Sequence, residues 1–240
     1  MTEASNATLH APAEDTVEAG RQLFLEALDA LQPESVLDLG AGTGWILEHC
    51  ERRGVRGFGL EASGERLRDL IAADRKVALA EGEHAPFADG AVDVVALRHV
   101  LHHCRQPQAT LNEAARIARR AIVISEQWWH PEHPEHARCE ALDRWTKQVH
   151  RATGFHHLPA LSAEELTTAL PEGTWTWRIA HHAWPVEQSV DEYLAGHARF
   201  LEALPEAHPL WDAGRPLIED ARRGGLWRQG TLIAVAQRQG

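Results

Sequence analysis

A short apolar strand, three alternating glycines and a helix follow one another over residues 35–53, and no other feature restricts the fold as much. Ser35-Val-Leu-Asp-Leu39 reads as a strand, Gly40-Ala-Gly-Thr-Gly44 as a turn, and Trp45 to Arg53 as a helix stopped by Gly54. Glycine lets the backbone turn sharply and lets a ligand approach the main chain. The helix N-terminus that follows offers unpaired N–H groups and a partial positive charge. A dinucleotide fingerprint, GxGxxG, would need glycine at position 45. Trp45 stands there and the glycine is Gly44, a GxGxG spacing that suits a cofactor without phosphates.

Strands and helices keep alternating downstream. Helical spacing over residues 15–31 precedes the loop. Val55 to Leu60 is a second strand ending at Glu61, and Glu65 to Asp74 a helix. Val77 to Ala80 is a third strand, and Ala91 to Leu97 a fourth, apolar enough to be buried on both faces. A helix over Pro107 to Arg119 and a fifth strand, Ala121 to Ser125, complete the series. The pattern predicts βαβ units and a doubly wound, mostly parallel α/β sheet, Rossmann-like. Ligands of such sheets sit beyond the carboxyl ends of the strands. Gly40, Glu61, Glu81, Arg98 and Glu126 are all expected on that rim.

The second half differs. Eight of the nine tryptophans lie at or beyond Trp128, and thirteen of the sixteen histidines at or beyond His99. Residues 137–151, 162–170 and Val190 to Leu204 look helical; Thr174 to Ala180 and Thr231 to Gln237 look like strands. The expected organisation is a flexible tail over 1–14 and a single domain over 15–240, with helical cap additions at about 127–172 and 186–223.

The 240 residues are 44% hydrophobic, enough for a sizeable core, and carry a formal net charge of −11 from 35 acidic and 24 basic residues. Nucleic-acid binders draw most of their affinity from neutralising phosphates, so the balance favours a small-molecule substrate and makes nucleic acid an unlikely partner. No apolar run approaches the ~20 residues of a membrane span, so no membrane partner is expected, and no secretory signal is expected at the N-terminus. Cys50, Cys104 and Cys139 form no CxxC pair, which points to a reducing cytoplasm. A monomer or homodimer is expected.

Val36-Leu-Asp-Leu-Gly-Ala-Gly-Thr-Gly44 resembles the first motif of class I S-adenosyl-L-methionine (SAM)-dependent methyltransferases, particularly the small-molecule, ubiquinone-biosynthesis-like group. Three further stretches follow in that family's order. They are Gly57-Phe-Gly-Leu-Glu61, Ala80-Glu-Gly-Glu-His-Ala-Pro-Phe-Ala-Asp-Gly90 and Arg98-His-Val-Leu-His-His103. The resemblance covers about residues 35–125. It implies the seven-strand-type methyltransferase sheet, with SAM as cofactor and S-adenosyl-L-homocysteine as product. By position it places Asp38, Gly40, Ala41, Gly42, Thr43 and Gly44 at the methionyl end, with a structural role for Asp38 as the alternative. Glu61 falls at the ribose, and Glu81 and Gly82 at the adenine. Two positions depart from the family pattern: Glu81 stands where Asp is usual, and Arg98 where a small or polar residue is common. Arg98 is expected to meet a carboxylate of cofactor or substrate.

His102 and His103, just past the fourth strand, are candidate general bases; packing is the alternative. His99, Glu126, Trp128 and Trp129 are candidate substrate-binding residues, with core packing equally open for the tryptophans. Trp145, Trp175, Trp177 and Trp184 read as core, and Cys104 as a buried inert thiol. His130-Pro-Glu-His-Pro-Glu-His136 has chelating spacing, but its prolines break a continuous ligand face. The family reaction needs no metal, and none is expected. The function expected is methyl transfer to a small metabolite, in specialised metabolism. The alternatives are tRNA methylation, intramolecular alkylation or cyclisation chemistry on SAM, and a non-catalytic binding module.

Overall fold

The computed structural model describes residues 7–170 and 174–239. Its elements are β1 (Ala7–Leu9), α1 (Thr16–Asp29), β2 (Ser35–Leu39), α2 (Trp45–Arg52), β3 (Arg56–Glu61), α3 (Gly64–Ala72), β4 (Val77–Leu79), β5 (Val92–Arg98), α4 (Pro107–Ile117) and β6 (Ala118–Trp128). Then come α5 (Pro134–Ala152), α6 (Ala163–Ala169), β7 (Trp175–Ala183), β8 (Glu187–Gln188), α7 (Val190–Ala195), α8 (Ala198–Ala203), α9 (Leu210–Gly224), β9 (Leu226–Trp227) and β10 (Gly230–Arg238). The chain divides into two compact units.

The first unit takes in residues 22–126, 161–179 and 233–240. Its strands lie in the order β7-β10-β6-β5-β2-β3-β4, and β2, β3, β4, β5 and β6 pair in parallel. That is the doubly wound, mostly parallel sheet expected. Every residue of β2 is buried, as are Val92 to Leu97 of β5, because helices cover both faces of such strands. Val36, Val94, Ala96, Ala121, Val123 and Val235 meet Phe24 and Leu28 of α1 in one core. Asp93 ties the N-terminal end of β2 in place. Its Oδ2 accepts from the Glu34 and Ser35 N–H groups at 2.9 and 3.2 Å, and Arg119 pairs with its other oxygen. These partners hold the Asp93 carboxyl below its usual range, although burial opposes them.

The second unit takes in residues 1–21, 127–160 and 180–232. Ala7–Leu9, expected to be tail, is instead a strand. It pairs in parallel with His181, His182 and Ala183 of β7, and His10 bonds His182 at 2.9 Å and stacks on Trp184. Residues 1–6 of the expected tail lie outside the described residues. Helices α5, α7, α8 and α9 lie in this unit, and β8 pairs antiparallel with β9. The single helix expected over Val190 to Leu204 is two, α7 ending at Gly196 and α8 starting from His197. Leu142, Trp145 and Val149 of α5 pack with Val190, Leu204 and Ala221.

Inside this second core, α5 buries a charge. Lys147 is 1% exposed. It pairs with Asp143 at 2.8 Å, donates to Gln127 Oε1 at 2.5 Å and lies over the Trp129 ring. Removing one member of a buried pair costs far more than removing a surface charge. Lys147→Ala should therefore cost about 3–5 kcal/mol of stability in a denaturant melt; a loss under about 1 kcal/mol would show that water reaches the pair.

Candidate functional site

The glycine loop follows directly from β2. Gly40, Gly42 and Gly44 have φ of 82°, 55° and 79°, a region open to glycine and costly to other residues. Gly40 and Ala41 N–H both donate to the Leu60 carbonyl at 2.8 Å, which binds the loop to β3. A Cβ on Gly40 would come within 2.5 Å of Val100 Cγ2, and one on Gly44 within 2.6 Å of Leu70 Cδ2. At Gly42 a Cβ would meet only Arg66 Nη1 at 3.7 Å and the Gly40 carbonyl at 3.8 Å. The loop is thus packed from beneath at its ends and open at its middle.

Glu61, the last residue of β3, closes the loop. One carboxylate oxygen accepts the Gly42 N–H and the other the Ser63 N–H, each at 2.8 Å. Asp38 lies at 2% exposure, and its Oδ2 has no hydrogen-bond partner among the described residues. Burial, and then the charge of Glu61, push the Asp38 carboxyl up to about 8. Glu61 and Asp38, the latter with one oxygen that has no hydrogen-bond partner among the described residues, lie under an open glycine loop, a cradle that fits a small molecule such as SAM.

A carboxyl raised in this way keeps its proton in the folded chain at pH values where the unfolded chain has lost it. Its contribution to stability is full below about 4 and is lost as pH rises through about 8. The asparagine of Asp38→Asn cannot ionise. The melting temperature of the ligand-free protein should fall more steeply between about pH 5 and 8.5 in wild type than in this variant. Parallel slopes would mean that Asp38 does not titrate in this range.

Past β4, Glu81 is exposed and Gly82 half-buried. A Cβ on Gly82 would meet Leu39 Cδ2 and Thr110 Cγ2 at 2.9 Å each, so the backbone there lies close against the end of β2. Arg98 is the last residue of β5, not a residue beyond it, and its guanidinium lies 5.4 Å from the Trp45 ring centroid. Neither Trp45 nor Val100 was singled out from sequence; an aromatic residue directly after the last loop glycine is the signal that could have found Trp45.

The two candidate bases differ. Leu101–His103 is a 3-10 turn, in which His102 is 3% exposed and His103 exposed. His102 Nδ1 lies 2.5 Å from Glu126 Oε2, and the Leu101 N–H donates to Glu126 Oε1 at 3.2 Å. With Glu126 accepting, Nδ1 carries the proton and Nε2 the lone pair. His103 packs against His102 with ring centroids 4.4 Å apart. Val100, beside this turn, is the residue on which Gly40 rests, so the His102 turn and the glycine loop are neighbours.

Glu126 was expected to face substrate. It is wholly buried, because β6 runs on to Trp128 and does not end at Ser125. Its carboxylate serves His102 and Leu101 instead. Trp128 and Trp129 belong to the second unit. Trp128 is 6% exposed and packs against His130 and His181. Trp129 is half-buried beside Lys147.

The His130–His136 run is built into the start of α5. His136 Nδ1 accepts the His130 N–H at 2.8 Å and Nε2 donates to the Arg228 carbonyl at 2.9 Å, so both ring nitrogens are used. Burial pushes its pKa down to about 4. The Cys104 thiol is likewise buried and pushed up to about 11, which removes it as a nucleophile.

The sheet order and the glycine loop at the end of β2 define a class I methyltransferase fold. Comparison with known proteins agrees. Residues 37–123 match the methyltransferase domain family model. An uncharacterized methyltransferase of Mycobacterium sp. (strain JLS) is 32% identical over 74% of this chain and 67% of its own length. The demethylmenaquinone methyltransferase of Thermobifida fusca is 33% identical over 41% of this chain, a match spanning 45% of that protein. Among solved structures, the YcgJ protein of Bacillus subtilis superposes with a TM-score of 0.64 at 15% identity, covering 93% of this chain and all of that one. The chain belongs to the class I SAM-dependent methyltransferase family. It is an enzyme of that type, a transferase of one-carbon groups.

Proposed function

We propose that this enzyme methylates a small-molecule acceptor at a hydroxyl group, with His102 as general base and Glu126 as the residue that positions it. The buried 2.5 Å contact between His102 and Glu126, beside the glycine loop, carries this reading. SAM, when bound, supplies an electrophilic methyl group. Gly40, Ala41, Gly42, Thr43 and Gly44 would hold its methionyl end with Asp38, Glu61 its ribose, and Glu81 and Gly82 its adenine. Arg98, held over Trp45, would meet a carboxylate of cofactor or substrate.

Methyl transfer is an in-line displacement that depends on alignment. A hydroxyl also needs its proton removed as it attacks, and a base within hydrogen-bond reach contributes there. Glu126 fixes the His102 ring by holding Nδ1–H, and Nε2 is the atom that would take that proton. His103, on the exposed side of the turn, and His99 would contact the acceptor.

A small-molecule acceptor is supported by the acidic charge balance and by relatives named as demethylmenaquinone methyltransferases. No described helix is long and apolar enough to cross a membrane. The three free, buried cysteines support a cytoplasmic location.

Mass spectrometry after incubation with SAM and a fractionated metabolite extract tests the proposal. S-Adenosylhomocysteine together with a metabolite one methyl group heavier is the expected result. 5′-Methylthioadenosine would indicate alkylation or cyclisation chemistry instead. Methylated tRNA, with salt-dependent tRNA binding, would replace the small molecule with RNA.

A further inference from the structure

We propose that His99, His102 and Glu126 form a binding site for one first-row transition-metal dication, of which Zn²⁺ and Co²⁺ are examples. The backbone brings the three together. In the β5–β6 register Arg98 pairs with Ser125, so His99, just past the end of β5, comes beside Glu126 of β6. The His99 N–H donates to the Ser125 carbonyl at 2.9 Å, and His99 sits at φ 52°. Residues other than glycine occupy that region at a cost, and such strain collects at functional sites. The 3-10 turn then returns His102 to Glu126, with the Leu101 N–H fixing the carboxylate. As a result one ligand atom from each of the three residues lies within 4.8 Å of the others.

Two imidazoles and one carboxylate are a donor set for zinc, cobalt or iron, and suit magnesium or calcium poorly. A tetrahedral site with bonds of about 2.0–2.2 Å places its ligand atoms roughly 3.4 Å apart. The His102 Nδ1–Glu126 contact would open by about 1 Å, and the wider separations, which lie within 4.8 Å, would adjust to the same spacing. Side-chain rotation of His99 and His102 accomplishes both. Nδ1 would give up its proton to solvent as the ion binds. His102 and Glu126 are buried and His99 half-buried, so an ion would enter past His99, leaving a coordination position for water or an acceptor oxygen. An occupied site takes the two residues that the base step uses. The metal-loaded protein should therefore be inhibited as a transferase.

Titration of the folded, ligand-free protein with Co²⁺, read by its visible d–d absorption, tests the site. One ion per chain with the intense bands of low-coordinate cobalt is expected. His99→Ala and Glu126→Gln should each weaken binding at least as much as losing an outer-shell partner does, about 10–100-fold. His133→Ala, in the other histidine run, should change nothing. Equal binding in every variant, an adventitious histidine site only, would overturn the proposal, as would no binding in wild type. If the variants misfold, histidine NMR of the wild type with Zn²⁺ decides. Ring shifts at His99 and His102 support the site, and shifts confined to other histidines refute it. S-Adenosylhomocysteine calorimetry on the same samples separates the two proposals. Lost metal binding with cofactor binding intact removes only the metal site. Lost cofactor binding counts against the assigned cofactor loop and leaves the metal result standing.

Discussion

Glu61→Ala should weaken S-adenosylhomocysteine binding by about 100-fold or more in calorimetry. The Glu61 carboxylate already accepts the Gly42 and Ser63 N–H groups, and its place at the end of β3 would add the ribose hydroxyls. Each hydrogen bond to a charged group contributes about 1.5–3 kcal/mol, and about 1.4 kcal/mol is a factor of ten in affinity. The loss of two such bonds reaches 100-fold before any loosening of the loop. Glu61→Gln keeps an acceptor and loses the charge assistance, so its loss should be smaller. Unchanged affinity in the alanine variant would refute the ribose role.

His102→Ala should lower kcat by about 10²–10⁴-fold while leaving cofactor affinity within a few-fold, measured with an acceptor from the metabolite screen. Glu126→Gln should move kcat in the same direction through His102, because the amide offers its N–H groups as readily as its oxygen and no longer fixes the imidazole tautomer. His103→Ala should cost less, since His103 packs beside His102 without the Glu126 contact. Full turnover in both histidine variants would leave alignment alone as the source of catalysis.

The loop and the sheet around it were legible because their signals are local. Three glycines between an apolar strand and a helix determine a backbone path whatever lies elsewhere, and a spacing with Trp45 in place of a glycine favours a cofactor without pyrophosphate. Strand ends were less legible. Apolar pattern marks where side chains are buried, whereas the strands themselves run through Arg119, Arg120, Gln127 and Arg98 without regard to polarity. The end of β6 was set too early for that reason. An acid after an apolar strand looks like a rim ligand, yet here the strand runs on and buries the carboxylate against His102. The division of labour between His102 and His103 depends on which ring turns inward, and periodicity does not encode that.

The tryptophan- and histidine-rich half was the least legible. β1 exists through its pairing with β7, more than 170 positions away in the chain. The buried Lys147–Asp143 pair sits where helical patterning would place only a solvated i, i+4 pair. The chelating look of His130–His136 dissolves because His136 spends both nitrogens on backbone groups at the start of α5 and near β9.

A crystal structure with bound S-adenosylhomocysteine tests the central claim most directly. The expected result places the homocysteine end over Gly40–Gly44, the ribose hydroxyls on Glu61 and the sulfur on the side of the loop next to the His102 turn. A ligand elsewhere in the fold, or a His102 ring still buried and turned away from the sulfur, would contradict it.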